Sequence, residues 1–247
     1  MRPSADGCGC FPTGQHYPGI AHLLRVRIAG IADELDEASP WSELPIVMID
    51  TETTGREPAD DRIVEVAVVR GRGGVVESRH AWLINPGRPI PAEATAVHGI
   101  KDDDVRDKPS FAEVCDEILA ALAAAIPAAY NATFDRNFVL AEVKRAGRST
   151  SSSAPAVRDR VVWLDPLIWA RHVFAAVRSR KLGDVAELLG VKLEQAHRAT
   201  ADAEAALLVM FKLGQDDRVP KTYGKLIQEQ LRLSRAQEEA RKMWRNR

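Results

Sequence analysis

Residues 46–55 read Ile46-Val47-Met48-Ile49-Asp50-Thr51-Glu52-Thr53-Thr54-Gly55. An apolar run of strand character gives way here to two carboxylates two positions apart, and then to a glycine turn. Side chains at i and i+2 of a strand share a face, so Asp50 and Glu52 are expected to converge at the strand's exposed end, where two carboxylates suit one hard cation. The competing account is a pair of solvated acids. The two β-hydroxy residues and Gly55 that follow favour the cation, because glycine lets backbone approach a bound ligand closely.

Three more groups of matching chemistry lie downstream. Asp135 closes the string Asn131-Ala132-Thr133-Phe134-Asp135, and His197 and Asp202 bracket His197-Arg198-Ala199-Thr200-Ala201-Asp202. Asp135 precedes a helical pattern, where a role as N-cap would account for it as well as a metal would. His197 and Asp202 are five apart, about 140° around a continuous helix, so a shared site needs a break between them. A loop through Gln195-Ala196-His197, followed by a helix from Ala199, provides it. Alternatively, His197 is an exposed loop residue and Asp202 a first-turn acid favoured by the helix dipole. Four carboxylates and a histidine suffice to hold two cations and supply one general base, a pattern that points to phosphodiester hydrolysis.

The surrounding chain reads as one α/β unit with flanking segments. At 247 residues it can bury one substantial core. A net charge of −1 gives no overall hint of a polyanionic partner, so any basic surface must be local. No apolar stretch approaches a spanning helix and no secretory signal opens the chain, so no membrane association and a cytoplasmic location are expected. Cys115 sits in a helical pattern as an ordinary buried thiol. Cys8 and Cys10 with His16 would be part of a zinc site only if a fourth ligand existed, and none is evident.

Residues 1–44 read as an extension, Gly- and Pro-rich to about residue 19 and helical from Ile20 to Leu35 until Ser39-Pro40 breaks the pattern. The catalytic domain is expected over 45–214 and a basic helical tail over 215–247. Within the domain, strands are predicted at 46–50, 62–69, 75–84, 127–131 and 161–164. The Gly71–Gly74 turn makes the second and third an antiparallel pair, being far too short for a parallel crossover. Ser110 with Glu113 forms a capping box for a helix to about Ala125. Further helices are expected over 135–146, 166–177, 182–189 and 199–213.

Taken together, these motifs resemble the DEDD exonuclease superfamily, in its histidine-bearing (DEDDh) branch, which includes the proofreading epsilon subunit of bacterial DNA polymerase III and ribonuclease T. The resemblance runs from about Pro45 to Leu213. Asn85-Pro86 and His98-Gly99-Ile100 add to it, the latter resembling a turn close to the site in that branch. It implies a ribonuclease-H-like fold, a five-stranded mixed sheet with helices on both faces. It also implies that Asp50, Glu52, Asp135 and Asp202 hold two Mg²⁺ or Mn²⁺ ions, that Asp50 bridges them, and that His197 takes a proton from the attacking water. The reaction would release 5′-mononucleotides from a nucleic acid with a free 3′ end, DNA rather than RNA. Thr51, Thr53, His98, Asn131 and Phe134 would lie against the terminal nucleotide, and Asp165 outside the metal set.

The nucleic acid is expected to approach over Arg178, Arg180 and Lys181, which otherwise are a solvated helix end. The basic tail would lie along nucleic acid or bind a protein partner. Gln230-Leu231-Arg232-Leu233 faintly resembles a clamp-binding peptide, but it lacks the terminal aromatic and sits inside a helical pattern. Two alternatives stand beside the main reading: an exoribonuclease of short RNA, and a catalytically silent module that binds nucleic acid or protein.

Overall fold

The computed structural model describes residues 29–149, 154–192 and 198–245. Strands β1 (Ile46–Thr53), β2 (Ile63–Arg72), β3 (Val75–Leu83) and β4 (Ile126–Ala128) form a mixed sheet in the order β3-β2-β1-β4. β1 runs antiparallel to β2 and parallel to β4. The hairpin between β2 and β3 turns on Gly73 and Gly74, both at positive φ (62° and 82°), the two-residue connection whose twist matches the strands it joins.

Eight helices are described: α1 (Ala92–His98), α2 (Asp102–Val105), α3 (Phe111–Ala121), α4 (Thr133–Arg145), α5 (Pro166–Val173), α6 (Leu182–Leu188), α7 (Ala199–Leu213) and α8 (Tyr223–Arg245). The capping box is present, with Ser110 N–H and Oγ–H both donating to Glu113 Oε2 at 2.7 Å.

Strand periodicity sorts the core into two layers. Val47, Ile49, Val66 and Val68 face α3 and α4, while Ile46, Met48, Ala67 and Val69 face α5, α6, α7 and α8. β1 and β2 are thus buried on both faces, which is why their apolar runs are nearly unbroken. The first half of α8 belongs to the second layer through Tyr223, Leu226, Ile227 and Leu233. Gln230 is also buried there: its Nε2 donates to Trp163 O, and its Oε1 accepts from Asp165 N–H and Trp169 Nε1. With its amide committed to the core, Gln230 is no part of an exposed clamp-binding peptide.

Two expectations need correction. The fifth strand is reduced to a single parallel bridge between Leu164 and Ala128. Leu164 N–H donates to Pro127 O and Leu164 O accepts from Ala129 N–H, but Asp165 then caps α5 and Pro166, lacking an N–H, opens it, so the ladder stops. The helix predicted to Leu35 is not present over 29–35, which are turns. Gly30 has φ +96° and its carbonyl accepts from Val162 N–H, while Ala32 N–H donates to the Tyr223 hydroxyl. Tertiary partners have taken the backbone groups a helix would use. The rest of that helix, and Cys8, Cys10 and His16, lie outside the described residues. No described helix is long and apolar enough to cross a membrane.

Candidate active site

The face of β1 that buries Ile46 and Met48 continues into Asp50 and Glu52 where the apolar run ends. α7 packs on that same face through Ala203, Ala206 and Leu207, and Asp202 stands in its first turn. Asp50, Glu52 and Asp202 each offer a carboxylate oxygen, and these atoms lie within 4.8 Å of one another. Residues 150 positions apart in the chain therefore meet because a strand end and a helix start share one edge of the core.

Asp135 arrives from the other layer. It is the third residue of α4, whose N-cap position belongs to Ala132, so the capping role expected of it is not the one it plays. Its Oδ1 accepts instead from Thr51 N–H at 2.9 Å and Thr51 Oγ–H at 2.8 Å. Those bonds fasten α4 to the strand that carries Asp50 and Glu52.

Burial and mutual repulsion set the electrostatics. Asp135 is 4% exposed, and its desolvation lifts the carboxyl to about 7 although Thr51 pulls it down. Glu52 is raised to about 8, by burial first and then by Glu65, Asp202 and Asp135. Asp50 is pushed well above the usual range by burial and then by Asp135, Glu52, Asp202 and Glu65. Carboxylates crowded in this way need protons or cations. Oxygen donors alone, partly open to solvent, are the set a hard divalent cation takes, so the residues fit such an ion.

Glu65 escaped the sequence reading. It sits directly opposite Glu52 across β1 and β2 and is 4% exposed. Burial raises its carboxyl, while Arg198 and the Ala199 backbone amide at the start of α7 act in the opposite direction. The available signal was a lone acid inside Ile63-Val64-Glu65-Val66-Ala67-Val68-Val69, a strand buried on both faces.

The remaining candidates divide. His197 lies outside the described residues, as do Gln195 and Ala196. His98 ends α1 buried, with Nδ1 accepting from Ile100 N–H at 3.1 Å and a buried Nε2 that has no hydrogen-bond partner. Burial lowers its pKa and the Thr53 backbone works against this, so it stands beside the loop that follows Glu52. Thr51 and Thr53 were expected to offer backbone or hydroxyl contacts to a nucleotide. Their hydroxyls shape the loop, Thr51 Oγ–H donating to Asp135 and Thr53 Oγ–H to Gly55 O at 2.5 Å. Gly55 has a neighbour that requires it, because a Cβ there would stand 2.3 Å from the Asp61 carboxylate.

Phe134 is half-buried against Phe138, ring centroids 4.9 Å apart, and packs on the core beside it. Asn131 is exposed at φ +71°, held by its N–H to Asp165 Oδ1. Asp165 also accepts from Ala132 and Leu167 N–H, so it shapes the turn that leads to Asp135. Asn131, Arg180 and Lys181 line one cleft.

The carboxylate shifts give a prediction for the protein without metal. Folded-state values raised above the unfolded ones mean that the folded chain binds more protons, so stability is full below about pH 4 as far as these groups go. It is then lost as pH rises through about 7 and about 8, the values of Asp135 and Glu52. Melting in EDTA should therefore fall between pH 5 and 8.5, and added Mg²⁺ or Mn²⁺ should raise it most at the alkaline end. A melting temperature that ignores both pH and cation would remove the metal assignment.

Residues 47–210 match the exonuclease family known as RNase_T. Among curated proteins, a PolC-type DNA polymerase III from Caldanaerobacter subterraneus subsp. tengcongensis is 30% identical over 184 residues, 74% of this chain and 12% of the relative. The 3′-5′ exonuclease DinG of Bacillus subtilis is 32% identical over 168 residues, 68% of this chain and 17% of the relative. The chain thus spans only about an eighth to a sixth of such relatives. Among solved structures, exonuclease X in complex with 5′ overhanging duplex DNA superposes with a TM-score of 0.57 at 21% identity, covering 73% of this chain and 98% of its own. E. coli exonuclease I in complex with a dT13 oligonucleotide gives 0.59 at 19% identity, covering 71% and 42%. At that identity the structural likeness speaks for the fold.

Proposed function

The chain belongs to the RNase_T exonuclease family, and we propose that it is a metal-dependent 3′–5′ exonuclease of the histidine-bearing type that releases 5′-mononucleotides, from DNA in preference to RNA. The observation that carries this is the meeting of Asp50, Glu52 and Asp202 within 4.8 Å, with Asp135 fastened behind them.

In this reading Asp50, Glu52, Asp135 and Asp202 would hold two Mg²⁺ or Mn²⁺ ions, Asp50 being the carboxylate that feels all three of the others. When bound, the ions supply positive charge opposite that developing on the phosphoryl group and on its entering and leaving oxygens. The chain's own residues do the rest. Thr51 keeps Asp135 in place, Glu65 steadies the start of α7 that carries Asp202, and His197 takes the proton of the attacking water. The names of PolC-type polymerase and of DinG, a 3′-5′ exonuclease, support both the polarity and DNA as substrate.

Purified protein with Mg²⁺ or Mn²⁺ should degrade matched DNA and RNA oligonucleotides at different rates, DNA faster. A substrate labelled at its 5′ end should give a descending ladder, and a 3′-phosphate should block it. A labelled mononucleotide appearing first from the 5′ end would reverse the polarity, and no metal-dependent product at all would end the nuclease reading.

A further inference from the structure

The described arginines mostly meet carboxylates: Arg62 with Glu142, Arg79 with Glu204, Arg148 with Asp116, and Arg158 with Glu34, among others. Arg171, Arg178, Arg180, Lys181 and Arg241 enter none of the ion pairs among the described residues, and the first four line one cleft of about 720 Å³. Asn131 and Tyr130 form its other wall, four and five residues before Asp135.

The nearby acids offset it only in part: Asp165 acts on Arg171 and Glu238 on Arg241, and neither forms an ion pair with it among the described residues. Asp165 is occupied by three backbone amides and Asp184 accepts from Ser179 Oγ–H. Arg180 spends its Nη2 on the carbonyls of Phe174 and Ala175, and its buried Nε has no partner. Arg171 has only a 3.5 Å contact to Gln237 of α8. Gln237 in turn donates to Ile168 O, which pins this part of α8 beside the cleft, and Arg241 lies one turn further on. Burial and then the charge of Arg241 hold the Arg171 guanidinium below its ordinary value, Arg180 adding to this while Asp165 and Tyr130 work against it, which places the three cations in one field.

We infer that this cleft and the neighbouring face of α8 form a phosphate-binding track, on which the sugar-phosphate backbone of a single nucleic-acid strand runs from the Asn131 wall across Arg171, Arg178 and Lys181 to Arg241. The inference rests on the nuclease reading above for the identity of the polyanion. Close, only partly compensated cations held by the fold repel one another, and a polyphosphate relieves that repulsion while releasing its condensed counterions. Recognition of this kind is blind to base and to sugar, so the track accounts for affinity and leaves the choice of DNA or RNA to the carboxylate site.

The test uses the full chain in EDTA and a fluorescein-labelled dT20 strand, read by anisotropy from about 50 to 200 mM salt. The variant Arg178→Gln/Arg241→Gln removes two exposed cations that support no core packing. Affinity at the lowest salt should fall roughly tenfold, equally for DNA and RNA, and the slope of log K against log salt should flatten by about 1 to 2. Arg178→Lys/Arg241→Lys keeps the charges and should keep the slope. A Gln variant with parental affinity and slope overturns the track, as does a Lys variant that behaves like the Gln one. Failure of the nuclease reading appears separately, as absence of hydrolysis by the parent protein with metal.

Discussion

Asp50→Asn should abolish hydrolysis, while the metal-free variant at pH 8 should melt higher than its parent. Both halves follow from the place of Asp50 among its neighbours. Its carboxyl is buried and faces Asp135, Glu52, Asp202 and Glu65, so its charge is tolerated only when cations are present. Asparagine keeps the shape and one carbonyl oxygen but cannot supply the anionic ligand. Loss of charge stabilisation worth several kcal/mol corresponds to at least about 10³-fold in rate. The same substitution relieves like-charge repulsion in the apoprotein, which is why melting should rise rather than fall. Asp202→Asn should behave alike. Asp135→Ala is a poorer probe, because it also deprives two Thr51 donors of their acceptor. Turnover at saturating Mg²⁺ with calorimetry in EDTA separates the effects. Near-parental turnover would dismiss Asp50 as a ligand, and a lower apoprotein melting temperature would show that the site is not electrostatically strained.

The parts of the site that obey local periodicity were legible in the sequence. Period two put Asp50 and Glu52 on one face, and the helix start at Ala199 put Asp202 in a first turn, where the structure has both. Asp135 was legible as a candidate ligand, though locally it reads equally well as a cap, and only the packing of α4 on β1 gives its carboxylate to Thr51. What escaped depends on partners distant in sequence. Glu65 looks like an ordinary polar position until β2 proves to be buried on both faces, at which point an acid there demands a reason. The helix predicted to Leu35 failed because Val162 and Tyr223, more than 120 residues away, claim the backbone groups of Gly30 and Ala32. Gly55 is legible as a turn glycine, but its crowding against Asp61, six residues on, is not.

His197→Ala should lower kcat by roughly 10²- to 10⁴-fold, the usual worth of a general base, with little change in KM or in metal affinity. The motivation is positional. Residue 197 immediately precedes Arg198 and Ala199, both of which act on the Glu65 carboxylate, and α7 then brings Asp202 to Asp50 and Glu52. A base in that stretch would come to the site on the same short segment as one of its acids. An imidazole accepts the proton of the attacking water only while neutral, so the parent's activity should climb with pH through the histidine's titration, near ~6.5 if unperturbed. That limb alone does not identify His197. Asp135 at about 7 and Glu52 at about 8 titrate in the same range before a cation displaces their protons, so weak metal occupancy would mimic it. Saturating cation should shift a carboxylate limb toward lower pH and leave a histidine limb in place. The decisive comparison is therefore the pH profile of parent and variant, each at saturating Mg²⁺. If the variant loses rate and loses the limb, His197 is the base; if it retains both, the proton goes elsewhere and His197 is a loop residue that happens to precede Asp202.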